Sequence, residues 1–192
     1  MKEIVLIGGG GHCKSVIDVI EQENKFKIVG LIDKHEKLGS KILGYPVIGN
    51  DSDLGNLKKY YKYALVTVGQ IKSASIRMNL FNNAVKHGFI LPSIVSPIAY
   101  VSRHATLGRG VIVMHGALIT SGATIGDNCI INSNALIEHD CCIAEHCHIS
   151  TNATINGGGK VGRESFVGSG ATTKELVTIN PRSFVKAGSL VI

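Results

Sequence analysis

The sequence has no tryptophan, only 4 prolines, and an aromatic content of 5% across 192 residues. Its basic residues read as scattered, with no stripe interleaving them with aromatic side chains, so a nucleic-acid-binding surface is not expected. No apolar run approaches the roughly 20 residues that cross a bilayer, so no transmembrane helix is expected either. Met1-Lys2-Glu3 leads straight into Ile4-Val5-Leu6-Ile7-Gly8, a short buried strand and not the longer apolar core of a signal peptide. A cytoplasmic protein is therefore expected, with its 5 cysteines as free thiols. Charged residues are sparse at 18%, but hydrophobic residues reach 44%, enough for a packed core. The 23 glycines follow no Gly-X-Y rhythm, which excludes a collagen-like helix and points to many tight turns. A formal net charge of +6 suits anionic small molecules without selecting one.

What is present divides near Pro92. Residues 1–92 alternate strand and helix patterns: strands at Ile4–Ile7, Lys27–Ile32, Tyr45–Gly49 and Ala64–Val68, and helices following Gly11, over Asp51–Tyr60 and over Ser75–His87. Ile76, Leu80, Phe81 and Ala84 would share one face of the last helix. This order predicts an α/β, Rossmann-like domain with a parallel sheet. From Val95 to Val191 every sixth residue is aliphatic except Thr173. Four places after each comes a small residue, such as Ala99, Ala117, Cys129, Ala135, Cys141 and Ala153, with bulkier side chains only at Val111 and Val177. Neither a helix nor an ordinary strand has that period; a parallel β-helix of hexapeptide repeats does. Three hexads per coil predict roughly five coils stacked about 4.8 Å apart, with residues eighteen apart in sequence lying above one another.

The hexads resemble the left-handed β-helix acyltransferases. Gly8-Gly9-Gly10-Gly11-His12, Leu31-Ile32-Asp33, Ile137-Glu138-His139-Asp140 and His148 narrow the resemblance to the NeuD/PglD-type sugar acetyltransferases. That resemblance implies a left-handed all-β C-terminal domain over 93–192 that binds acetyl-CoA, and a nucleotide-sugar-binding domain over 1–92. It also implies a homotrimer with active sites between neighbouring β-helices and direct acetyl transfer without a metal. Within it, Gly10 and Gly11 cradle the nucleotide, His12 reaches toward the acceptor and Asp33 toward the nucleoside. Asn132 touches the sugar, His148 contacts the thioester, and Asp140 orients His139.

The residues themselves add chemistry. Acyl transfer to an amine or hydroxyl needs a base, oxyanion donors and a departing thiolate. His139 is the best base, because imidazole titrates near neutrality, and Glu138 or Asp140 could hold its tautomer. Eighteen residues on stands Gly157, beside Gly158 and Gly159; a coil without side chains leaves room for a thioester and bares backbone N–H donors, with Gly157 the favoured one. Lys174 and Lys186 are candidates for the CoA phosphates. Cys141, Cys142, His146, Cys147 and His148 invite a zinc reading, but the register turns Cys141 and Cys147 inward, away from His146, so no metal is expected. A dinucleotide fingerprint fails, because Cys13 stands where its third glycine should be.

Two features depart from the family's pattern: the longer segment Gln70–Ile76, and the tail Ala187–Ile192. The expected activity is N-acetylation of the amine of a UDP-linked amino-deoxy sugar for a bacterial surface glycan. The alternatives are O-acetylation of a sialic acid or related nonulosonic acid, and a non-catalytic trimeric sugar-binding scaffold.

Overall fold

The computed structural model describes residues 1–192 as two compact units. One comprises 1–69 and 75–92; the other comprises 93–192 together with Gln70–Ala74. The five-residue segment 70–74, expected in the first domain, belongs to the second unit.

In the first unit, β1 (Lys2–Ile7), β2 (Phe26–Ile32), β3 (Lys41–Ile42), β4 (Tyr45–Gly49) and β5 (Tyr63–Val66) form a sheet in the order β3-β4-β2-β1-β5. Ile4–Ile7 are fully buried, as a strand flanked on both sides requires. Helix α1 (Gly11–Glu23) buries Cys13, Val16, Ile17, Val19 and Ile20, and stops where Asn24 adopts φ 55° and returns its N–H to Ile20 O.

Three expectations for this unit change. The sheet is parallel except at its edge, where β3 pairs antiparallel with β4. The helix expected over Asp51–Tyr60 is a 3-10 turn, Asp51–Asp53, followed by α2 (Leu54–Leu57); an Asn50 capping box starts it, and Gly55 weakens its propensity. In α3 (Ser75–Lys86), Ile76 is 66% exposed, and the inward position belongs to Arg77, only 1% exposed. Arg77 Nη1 donates to Val66 O and Val68 O, 2.8 Å each, which satisfies carbonyls that the ending strand leaves unpaired. The basic residues are also less scattered than they read: Lys58-Lys59-Tyr60-Tyr61-Lys62-Tyr63 interleaves them with aromatics, and Lys2 and Lys62 lie 5.5 and 5.8 Å from the Tyr63 ring centroid.

The second unit is a parallel β-helix of two-residue strands, from Ile94–Val95 to Leu190–Val191, arranged in sheets of six, five and six strands. Pairings join residues eighteen apart throughout, as in Leu118↔Leu136, Ile125↔Ile143 and Ile131↔Ile149. The core holds the aliphatic column and the small column together, Ile137, Ile149, Ala135 and Cys147 all being 0% exposed. Thr173 fits this column because its Oγ1 accepts the Asn156 N–H at 3.0 Å. The buried thiols likewise donate to carbonyls, Cys129 to Ala144 O at 3.0 Å and Cys147 to Gly162 O at 3.2 Å.

A third periodic position went unread. Three residues after the aliphatic one, the chain turns through a left-handed conformation at Gly110, Gly116, Gly122, Asn128, Asn134, Asp140, His146, Asn152 and Gly158, and onward to Gly188. Glycine adopts this conformation freely and asparagine and aspartate with least penalty. Their recurrence at six-residue spacing was the available signal.

Candidate active site

The corner after Ile137 presents Glu138, His139 and Asp140 to solvent. With φ 58°, Asp140 turns its carboxylate back on its neighbour, and Oδ2 lies 2.9 Å from His139 Nδ1. Nδ1 therefore carries the hydrogen and donates, leaving the Nε2 lone pair free. The hydrogen bond to Asp140 is the largest influence on this imidazole and raises its pKa above the ordinary value, with the Asp140 and Glu138 charges adding to it against a desolvation that lowers it. Glu138 Oε2 also accepts the His139 backbone N–H at 3.3 Å.

Glycines on both adjoining coils make room for this pair. A Cβ at Gly157 would stand 2.7 Å from His139 Nε2. A Cβ at Gly122, eighteen residues before Asp140, would collide with Asp140 Oδ1. Gly122 escaped the sequence reading, although the register pointed to it. Of the glycine triplet, Gly158 N–H is taken by His139 O at 2.8 Å and Gly159 N–H by Asn156 O at 3.0 Å. Gly157 N–H, adjoining the contact with Nε2, is the amide left over.

A second cluster occupies a different corner. Asn132 follows the strand Ile130–Ile131, and His148 begins the strand His148–Ile149 stacked on it. His148 is buried, 6% exposed, against the edge of Phe166 with ring centroids 5.2 Å apart. Asn132 Oδ1 accepts the Ser133 N–H at 2.8 Å, so Nδ2 is the atom that faces His148 Nε2 at 3.0 Å. His148 Nε2 then accepts, and Nδ1–H donates to Gln70 O at 2.6 Å. The chain of bonds defines a neutral imidazole in one tautomer. Gln70, 3% exposed, comes from the irregular segment 70–74, and nothing in its sequence announces this contact.

The sheet that contains Leu136–Ile137 separates these corners, and no hydrogen bond links His139 with Asn132 or His148. Lys174 and Lys186 are exposed. By register Lys174 stands two coils beyond Glu138 and Lys186 three beyond Asn132, about 10 and 14 Å along the axis.

The first unit holds a cleft of about 620 Å³ between the strand ends and α3, lined by residues that include Gly8, Ile32, Asp33, Asn50, Asp51 and Ile76. Gly8 and Gly9 are required by packing, since a Cβ would collide with Val68 at the first and with Ile42 and Asp33 at the second. Gly10 and Gly11 have open space around them, and α1 starts there without a side-chain cap. His12 lies half-buried in that first turn.

Asp33 is heavily engaged: Oδ2 accepts from Gly9 N at 3.1 Å and Lys37 Nζ at 2.8 Å, and Oδ1 from Lys34 N at 2.8 Å. Burial would raise its pKa, but these donors and the Lys37 charge hold the carboxyl below the ordinary value. Its first duty is to pin the glycine loop. Asp51, which lines the same cleft, is a residue that the sequence pattern does not single out. Burial, and then the Asp33 charge, push its pKa up.

A β-helix of hexads carrying an oriented histidine beside a bare amide defines a hexapeptide-repeat acyltransferase. Comparison with known proteins narrows that class. Residues 3–84 match the PglD N-terminal domain family, and residues 104–139 and 122–157 match the bacterial transferase hexapeptide (six repeats) family. A mutant of perosamine N-acetyltransferase from Caulobacter crescentus, in complex with CoA and GDP-perosamine, is 34% identical with TM-score 0.93, the match covering 100% of this chain and 89% of that one. The acetyltransferase domain of PglB from Neisseria gonorrhoeae is 31% identical with TM-score 0.92, over 100% and 92%. WeeI from Acinetobacter baumannii, at 19% identity, 98% and 96% coverage and TM-score 0.74, shares the fold. No curated protein sequence matches. The chain belongs to the NeuD/PglD-type sugar acetyltransferases, and its second unit is their left-handed β-helix.

Proposed function

We propose that the protein transfers the acetyl group of acetyl-CoA to the amine of a nucleotide-linked amino-deoxy sugar destined for a bacterial surface glycan. The observation that carries this reading is the free Nε2 of His139 set against Gly157, whose N–H has no partner in the chain. Nε2 takes a proton from the acceptor amine as the nitrogen attacks the thioester carbonyl. Gly157 N–H donates to the oxyanion that forms. The C–S bond then breaks, and the CoA thiolate leaves and recovers the proton from the imidazolium. Asp140 keeps the ring in the correct tautomer and stabilises its charged form.

Asn132, held by His148, faces the acceptor, while Lys174 and Lys186 meet the phosphates of CoA. Because Gly158 N–H is spent on His139 O, Gly158 serves by lacking a side chain. Gly10, Gly11 and His12, at the start of α1, meet the diphosphate of the acceptor, and the cleft of the same unit has a size that suits either the uridine carrier expected from the sequence or the guanosine carrier named for the Caulobacter relative. The separation of the two clusters at different corners supports a homotrimer in which His139 of one subunit meets Asn132 and His148 of the next.

Release of CoA thiol from acetyl-CoA with a panel of UDP- and GDP-linked amino sugars and free sialic acids tests the reading. Release with an amino sugar, lost in a folded His139→Ala variant, is expected. Release with sialic acid alone would move the acceptor to a hydroxyl, and an enzyme still active after His139→Ala would remove that residue as base. Absence of both release and acetyl-CoA binding would leave only a scaffold.

A further inference from the structure

We propose that the cleft of the first unit selects a guanine nucleotide, with the carboxylate of Asp51 reading the base. The inference rests on the nucleotide-sugar reading above and names the carrier within it.

The cleft offers two carboxylates, and only one is available. Asp33 already accepts three hydrogen bonds, from Gly9 N, Lys34 N and Lys37 Nζ. Asp51 lines the same cleft and accepts no hydrogen bond from the chain. Its environment disfavours the bare anion, since burial and the Asp33 charge both push its pKa up. A carboxylate in that position gains most from a ligand that brings donors to both of its oxygens.

Among the nucleobases only guanine presents two adjacent donors, N1–H and N2–H, on its pairing edge. Uracil has a single N3–H between two carbonyl oxygens, so a carboxylate that accepts from it faces a repelling oxygen. Adenine and cytosine set one amino donor beside a ring-nitrogen acceptor, with the same conflict. The neighbour of Asp51 matches the rest of the guanine edge. Asn50 Oδ1 accepts from Ser52 N at 2.9 Å and Ser52 Oγ at 2.6 Å, which orients its amide and leaves Nδ2 as a donor suited to guanine O6. Apolar side chains complete the cleft: Val68, Ile76 and Leu80 offer a surface for the flat ring. That role also accounts for Ile76, an isoleucine 66% exposed on a helix whose inward face excludes it.

The test is calorimetric titration of the full chain with GDP, IDP and UDP, repeated on Asp51→Asn. IDP keeps N1–H and O6 but lacks the N2 amine, so it probes one of the two bonds on unaltered protein. The expected order is GDP, then IDP, then UDP, with GDP roughly ten- to a hundredfold tighter than UDP, the discrimination of one bidentate base contact. In Asp51→Asn the GDP and IDP affinities should converge and the gap to UDP should narrow, because an amide no longer repels a uracil carbonyl. UDP binding as tightly as GDP, or an undiminished GDP preference in Asp51→Asn, would overturn the assignment and leave the nucleotide-sugar reading intact. Failure of all three nucleotides to bind a folded protein would overturn both.

Discussion

Asp140 occupies a left-handed corner, and that backbone choice is what brings its carboxylate within 2.9 Å of the His139 ring. Because the hydrogen bond raises the pKa of His139 above its ordinary 6.5, and a base must be neutral to act, kcat/KM should fall as pH drops through a value above 6.5. Asp140→Asn should move that limb to lower pH and lower the plateau roughly 10- to 100-fold, because the amide no longer stabilises the imidazolium. Gly122→Ala should reproduce the effect from another coil, by pushing Asp140 Oδ1 aside. Gly116→Ala is the control: it carries a similar left-handed strain and abuts Asn134 instead, so it should cost comparable stability and leave the pH limb in place. Equal pH profiles for the two alanine variants would show that Gly122 does not position the pair. At Gly157 the contributions separate: Gly157→Pro removes the N–H as well as crowding His139, and it should abolish turnover while acetyl-CoA binding is checked independently.

At the scale of single elements, the solenoid is set by columns and not by its two-residue strands. Ile137 fills the interior beneath the corner that carries His139, and Ile137→Ala should cost about 2–5 kcal/mol in denaturant unfolding, as large-to-small core changes do. The corner column makes the opposite kind of prediction. Leu176 holds φ 58° with 79% exposure, so Leu176→Asn should gain up to about 1 kcal/mol and a higher melting temperature. In the first unit, α3 is tied to the end of β5 by Arg77. Arg77→Ala leaves the Val66 and Val68 carbonyls without their donor and should destabilise the unit by at least about 2 kcal/mol. The expected apolar face of α3 misjudged this residue, because periodicity counts hydrophobicity and a buried arginine spent on two carbonyls carries none.

For the assembled protein, the proposed trimer with sites shared between subunits predicts complementation. His139→Ala and Asn132→Ala chains, each inactive alone, should regain measurable turnover when co-expressed, and light scattering should report a trimer mass. Without recovery in a proven mixed trimer, both corners would have to act within one chain. The solenoid, its register and the His139–Gly157 stacking were legible from the residues alone, because a repeat of strict period makes local sequence equivalent to spatial position. The sequence also carried the corner glycines and asparagines, in a periodicity that went unread. The contacts that depend on folding in three dimensions lie outside that periodicity. Gln70, from the irregular segment 70–74, fixes the tautomer of His148 across 78 residues of chain. Asp33 is saturated by the loop it pins while Asp51 is left available, a distinction between two aspartates that depends on which backbone amides and lysines converge in space. A hydrogen bond is a matter of a few ångströms and a direction, and outside a repeat no spacing in the chain encodes either.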